Sequence, residues 1–311
     1  MRAVSVLLFV FMALPAADSP AQTHARQSYE HARQGNLTEA EREIRESIRL
    51  DPENPLYHSA LGGILQRVGR LDECADEYAQ ALDASVSNEP VHAQIASRLE
   101  QVYLQIGADL GRSGNFTAGL TIATQASRRF PGSAKAFQML GYFETKKHLN
   151  VSAVGSYQRA VDLDPSSAKS LVGLGIALSA AGWNAKAVST LESGITRFPK
   201  DPMQYQALGV LLLQTPAPRP VDIERAKSIL EAALKLDASL SEPHYQLGNL
   251  ALQNGQLDEA RAHLLAAASA APLDTRVHFA LARLYRRAGD LDRAAHEMQT
   301  FERAKAAAAS P

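Results

Sequence analysis

The 311-residue chain contains one cysteine and one tryptophan, and aromatic residues make up only 6% of it. A single cysteine, Cys74, excludes a disulfide framework and any cysteine-rich zinc or iron–sulfur site. An excess of charge is lacking as well: 32 Lys+Arg stand against 33 Asp+Glu, with no run of five or six like charges. That balance argues against a nucleic-acid protein held by bulk electrostatics. Alternating Val/Ile/Thr runs are missing, which argues against an all-β fold. Phosphate-cradling glycine loops and HxxxH metal spacings are also missing, so no catalytic centre, metal or cofactor is expected.

Long apolar runs are confined to the N-terminus. Arg2 precedes the stretch Ala3–Leu14, and Pro15-Ala16-Ala17 follows it. A basic start, about a dozen apolar residues and a small-residue exit have the form of a secretory signal peptide, expected over residues 1–21. The run falls short of the ~20 residues that span a bilayer. Removal after Ala17 and after Ala21 both fit. The mature chain is expected to be exported, periplasmic or extracellular, with no stable membrane span.

What the sequence does have is a period. A small residue closes an apolar pair at Leu61-Gly62, Ile106-Gly107, Leu140-Gly141, Leu174-Gly175, Leu208-Gly209, Leu247-Gly248 and Leu281-Ala282. A second series of small residues runs Ala40, Cys74, Gly119, Ala153, Ala187, Ala226, Ala260 and Ala294. Both series advance by 34 residues, and both break at the same two places, by 45 and by 39. Each period reads as two helices. In the fifth, Leu171, Leu174 and Leu178 mark the first helix and Gly182 ends it; Ala187, Leu191 and Ile195 mark the second, which Phe198-Pro199 stops.

These residues resemble the tetratricopeptide repeat family. The fourth unit matches the family pattern at Phe137, Leu140-Gly141, Ala153, Tyr157, Ala160 and Pro165, and departs from it at Glu144. The seventh matches at Leu247-Gly248, Ala260, Leu264, Ala267 and Pro272, with His244 in place of the aromatic. The resemblance implies an all-α, right-handed α-solenoid of eight helix-turn-helix repeats over residues 22–308. The units run about 21–54, 55–88, 100–133, 134–167, 168–201, 202–240, 241–274 and 275–308, with an insertion at 89–99 and a frayed tail at 309–311. Small residues at the period positions permit close helix approach, and a larger side chain there overpacks at a cost of ~1–3 kcal/mol. No single unit buries its own apolar face, so stacking is obligatory.

The 11-residue surplus predicts one helix from Pro90 to Arg112, about 34 Å long, because eleven residues make close to three turns and preserve the stripe Ile95, Leu99, Val102, Ile106, Leu110. Two readings stand for it: an irregularity of the solenoid, or an overhanging contact surface of Val91, Ile95 and Leu99 whose deletion leaves folding intact. The five-residue surplus, around Thr215–Pro220, predicts an extended proline-rich loop. His58, His244 and His278 share the fourth position of their units and read as partly buried residues at the seam between repeats. The Asn-X-Ser/Thr triplets at Asn36, Asn115 and Asn150 fall in turns, where Asn belongs as a cap.

The family resemblance implies that ligands are held by the first helix of each unit. Carried over by position, the implied ligand-binding residues are Lys135, Gln138, Tyr142 and Lys146 in unit four and Lys169 in unit five. Gln206, Tyr245 and Asn249 follow in units six and seven, and Arg276, Arg283, Arg286 and Arg287 in unit eight. The four arginines form a basic strip with no acidic residue between Arg276 and Arg287. The implied partner is a protein or peptide with acidic segments, not nucleic acid. The expected role is a non-catalytic binding scaffold; an accessory subunit of an envelope enzyme or secretion complex, and a self-associating solenoid, are the alternatives. The chaperone-tail clamp and the asparagine ladder of glycosyltransferase solenoids are not matched.

Overall fold

A capping box opens the first helix. Ser19 Oγ accepts from the Gln22 amide at 3.2 Å while Gln22 Oε1 accepts from the Ser19 amide at 2.9 Å, and Pro20 takes the first helical position. Such a reciprocal cap satisfies two of the orphan donors of a helix start. The computed structural model describes residues 18–214 and 219–309, and every element among them is an α-helix. In the N-terminal part they are α1 (Pro20–Gln34), α2 (Leu37–Leu50), α3 (Pro55–Val68), α4 (Leu71–Ala84), α5 (Glu89–Arg112) and α6 (Phe116–Arg129). Then come α7 (Ala134–Lys146), α8 (Asn150–Leu163), α9 (Ala168–Ala180), α10 (Asn184–Arg197) and α11 (Pro202–Gln214). The last five are α12 (Pro220–Leu236), α13 (Ser241–Gln253), α14 (Leu257–Ala270), α15 (Thr275–Arg287) and α16 (Leu291–Ala309). They form repeating helix pairs, the solenoid architecture the period implies. Residues 1–17 of the expected leader lie outside the described residues; of the rest, Ser19 caps α1, and Pro20 and Ala21 stand in its first turn.

Two compact units divide between Met139 and Leu140, within α7. In the first, Leu61, Leu65, Tyr78, Ile95, Leu99 and Val102 are almost wholly buried in one core. A Cβ on Gly62 would come to 3.1 Å from the Tyr78 ring, so any larger residue there has to displace that fully buried side chain. α5 runs 24 residues where its neighbours run about half that, as the surplus predicts. Asn88 caps it and Pro90 sits in its first turn. The overhang reading fails, however. Ile95 is 2% exposed and Leu99 is fully buried, because the extra turns lie along α4. Arg98 donates from there to the Tyr78 hydroxyl at 3.3 Å. Deleting Glu89–Leu99 therefore removes core rather than an appendage.

The second unit holds two apolar clusters. One gathers Leu174, Leu191, Leu208 and Leu211; the other gathers Leu264, Leu281, Leu284 and Tyr285. Tyr157 shows why small residues recur: a Cβ on Gly141 would meet its ring at 2.7 Å and one on Gly173 at 2.2 Å. Phe301 occupies the register of the small residues Ala81, Ala160 and Ala267 and packs against Phe279, with the rings tilted by 48° and their centroids 5.8 Å apart. The five-residue surplus is partly helical: α12 is 17 residues long where most second helices have 14, and Pro220 opens it. Thr215–Pro218 lie outside the described residues. Of the triplet asparagines only Asn115 caps through its side chain, accepting from the Ala118 amide; Asn150 donates to the Ala180 carbonyl instead, and Asn36 makes no side-chain cap bond.

Candidate functional site

In the second unit the first helices of successive pairs touch one another, α9 to α11, α11 to α13 and α13 to α15. Ridges at 3.6-residue spacing then bring equivalent positions of each helix onto one continuous face. Lys169, Gln206, Tyr245, Asn249, Arg276, Arg283 and Arg286 are all solvent-accessible on these helices, and Tyr142 is exposed on α7. Lys135 and Gln138 belong to the first unit, the former exposed and the latter half-buried. Lys146 stands over the Tyr142 ring, 5.7 Å from its centroid.

Residue-by-residue reading passed over the apolar members of the face. Ile176, Met203 and Phe279 are exposed by 47%, 40% and 46% at the same register positions. The signal was available: each stands at a position from which the resemblance already drew a polar residue in another unit. Exposed apolar side chains on a continuous face mark a contact surface more strongly than scattered ones.

The basic strip shrinks by half. Arg276 pairs with Asp274 at 2.7 Å and with Glu242 at 2.8 Å, and its guanidinium lies 4.9 Å from the Tyr245 ring centroid. Those carboxylates come from the preceding turn and the preceding repeat, which a scan between Arg276 and Arg287 does not reach. The same pairing holds the Asp274 carboxyl below its ordinary range against the opposing effect of burial. Arg287 donates to the Leu252 carbonyl at 2.6 Å and so caps the C-terminus of α13. Arg67, at the equivalent position, does the same for the Ala32 carbonyl of α1 at 2.8 Å. Arg287 is therefore a structural cap. Arg283 and Arg286 remain as exposed cations with no ion pair among the described residues, one turn and two turns along from exposed Phe279.

Five of the nine histidines are paired by geometry, each across the two helices of its own repeat rather than between repeats. His24, His58 and His278 each meet a glutamate 19 residues on, at 2.7 Å, and His244 meets His263 at 2.9 Å. Among the described residues no three His, Cys, Asp or Glu are placed to hold a metal ion. Cys74 is fully buried, and burial pushes its thiol up to about 12, which keeps it from acting as a thiolate.

Tetratricopeptide repeat models match residues 26–90 and 104–168, 222–284, and 275–297, together about two thirds of the chain. A TPR repeat-containing thioredoxin of Arabidopsis thaliana is 37% identical over 75 residues, 24% of this chain and 10% of that one. A protein O-mannosyl-transferase of Caenorhabditis elegans is 32% identical over 91 residues, 29% of this chain and 13% of that one. The chain thus spans only about a tenth of the length of these curated relatives. The crystal structure of a tetratricopeptide repeat protein from Parabacteroides merdae superposes with a TM-score of 0.54 at 17% identity. That superposition covers 85% of this chain and 98% of that one, and shows the shared fold. Period, helix pairing and family matches agree: the chain belongs to the tetratricopeptide repeat family.

Proposed function

We propose that the chain is an exported, non-catalytic scaffold that binds a protein or peptide segment along the first-helix face of residues 140–311. The observation that carries this reading is the pair Arg283 and Arg286, uncompensated cations beside exposed Phe279 on a face that also exposes Ile176 and Met203. A segment with acidic residues flanking an apolar side chain fits that chemistry, since guanidinium forks pair with carboxylates and the rings and aliphatic groups accept the apolar part. Affinity capture with the exported chain tests it. Arg283→Glu with Arg286→Glu is the informative variant, because Arg287→Glu would also uncap α13. Capture should fall at least tenfold in the double variant and weaken as salt rises, while unfolding stays within about 0.5 kcal/mol of the parent. Equal capture by both proteins overturns the reading.

The capping box bears on export. Removal after Ala17 leaves Asp18, Ser19 and Pro20 in place, whereas removal after Ala21 deletes the cap and the carbonyl that accepts from buried Ser47 at 3.0 Å. The first position keeps α1 whole, and the intact mass of the exported chain decides: an N-terminus at Asp18 supports it, and one at Gln22 overturns it.

A further inference from the structure

The turns between paired helices repeat a polarity pattern, and two of them invert it. In the first, second, third, seventh and eighth repeats the three residues entering the second helix read polar–apolar–polar, as in Asn36-Leu37-Thr38 and Gln256-Leu257-Asp258. The fourth and fifth repeats instead read Leu149-Asn150-Val151 and Trp183-Asn184-Ala185. The consequence is visible at the surface: Leu149, Val151 and Trp183 are 46%, 65% and 42% exposed, while Asn150 takes the half-buried middle place. Asn150 donates to the Ala180 carbonyl at 2.8 Å, which sets the two inverted turns side by side.

Two further features single out the same edge. Six turns in other repeats and in the fifth carry glycine at positive φ, between 74° and 88°, but the fourth carries His148 at φ 58°. A non-glycine residue in that region is strained, and such strain persists where another requirement holds it. The charge is also of one sign. Lys147 and Lys186 are exposed beside the apolar tips, the latter 5.3 Å from the Trp183 ring centroid. No Asp or Glu occurs from Thr145 to Val161 or from Pro165 to Leu191, in a chain whose net charge is −1. α8 and α10, like α6 but unlike α2, α4, α14 and α16, have no acidic residue in the first turn, so their positive N-terminal ends are left uncompensated.

We propose that this edge docks on an anionic lipid surface, with Leu149, Val151 and Trp183 entering the headgroup region and Lys147 and Lys186 facing lipid phosphates. Charge complementarity gives the sign of the partner. The size of the patch gives its class: two tight turns present three apolar side chains, far less than the ~800 Å² per partner of a stable protein interface. A few apolar tips flanked by cations suffice for interfacial attachment, where the indole lies at headgroup depth and lysines reach toward phosphate. No helix among the described residues is long and apolar enough to cross a membrane, so attachment here is peripheral.

The protein carries its own probe, because Trp183 is its single tryptophan. The full chain is titrated with phosphatidylcholine vesicles and with phosphatidylcholine vesicles containing phosphatidylglycerol, and tryptophan emission is followed. The apolar run Ala3–Leu14 could bring the chain to either vesicle, so the readout has to be local to the turn. A blue shift with the anionic vesicles only, reversed by salt, is expected. Leu149→Asn with Val151→Thr, which restores residues used in other turns, should abolish the shift and leave thermal unfolding unchanged. An unmoved emission, an equal shift with neutral vesicles, or a full shift in the double variant overturns the proposal. Loss of an acidic protein partner in the double variant, with vesicles ignored by both proteins, overturns it in favour of a protein site.

Discussion

Repeats two and seven place a histidine at the same point of the same helix and part company 19 residues later. His58 meets Glu77 at 2.7 Å, and its Nε2–H donates to the Pro52 carbonyl at 2.8 Å. Both partners are acceptors, so the ring is at home with both nitrogens protonated. The hydrogen bond that the ring donates to Glu77 pulls the His58 pKa up, against burial. His244 meets His263 instead, nitrogen to nitrogen at 2.9 Å, and only one of the two can donate. Burial pulls the His263 pKa down, and the neighbouring His244 and Lys227 add to it against Glu259 and Glu231. The same contact between paired helices therefore responds to acid with opposite signs.

The signs follow from linkage. A histidine raised above its ordinary value of about 6.5 contributes fully below that value and loses its contribution as pH rises through the raised pKa. A histidine depressed below about 6.5 contributes above that value and loses stability as pH falls through the depressed pKa. Amide exchange, corrected for its intrinsic pH dependence, separates the two repeats. α3 and α4 should gain protection, relative to α13 and α14, as pH drops from neutral toward 5.5. A parallel response in both pairs would remove the distinction.

The largest effect should come from breaking the pair in repeat two. Glu77→Leu leaves the Nδ1–H of His58, a side chain only 8% exposed, without its acceptor. The expected loss is about 2–3 kcal/mol at pH 7, read by urea unfolding, because a buried donor without a partner bears its full desolvation cost. The variant should also lose the stability change that wild type shows above pH 6.5. A loss below about 0.5 kcal/mol would place the pair with ordinary surface contacts.

Repeat four supplies a third version of this contact. Phe137 takes the histidine position, Ser156 takes the carboxylate position, and the carboxylate has moved to Glu144, which accepts from the Ser156 hydroxyl at 2.6 Å. Burial raises the Glu144 pKa, and no cation offsets it. Repeats two, five and six carry Leu65, Leu178 and Leu212 at that point. Glu144→Leu should therefore stabilise by about 1–2 kcal/mol at pH 7, by removing a buried, poorly paired acid. A carboxyl with a raised pKa gains relative stability as pH falls, so the advantage of leucine should shrink toward pH 5. A melting temperature that rises equally at both pH values would contradict the assignment.

Much of this molecule was legible in its sequence, and the failures share a cause. Two series of small residues at one period fixed the helix pairs, since Gly141 and Gly173 each have to clear the Tyr157 ring. The helix through Pro90 to Arg112 followed from its stripe and cap. Whether that stripe was covered did not follow, because α4 supplies the cover. The arginine strip failed in the same way: Glu242 lies 34 residues before Arg276 and neutralises it across the repeat boundary. The histidines were recognisable as partly buried, yet their partners 19 residues on belong to the other helix of the same repeat and carry no local signal. Within a helix, spacing specifies a face. Between helices, only the packed structure says which charges meet.

The smallest and most selective change is His263→Glu, which rewrites repeat seven in the manner of repeats two and eight. The His244 ring already has the Ala238 carbonyl at 3.3 Å from Nε2, so a carboxylate at the other nitrogen completes the clip seen at His278, Glu297 and Pro272. Two acidic neighbours, Glu259 and Glu231, oppose an added negative charge and Lys227 favours it. The expected gain at pH 7 is therefore modest, about 0.5–1 kcal/mol, the net worth of one hydrogen bond. At pH 5.5 the gain should be larger, because wild type must by then force a proton onto one of two facing imidazoles while the variant holds a ring already charged. Above neutrality the gain should fade as that ring deprotonates. His263→Gln controls for the loss of the second ring alone: it should relieve the acid lability without adding the neutral-pH gain. Equal protection of α13 and α14 at pH 5.5 in wild type and His263→Glu would mean that the facing histidines do not limit this repeat.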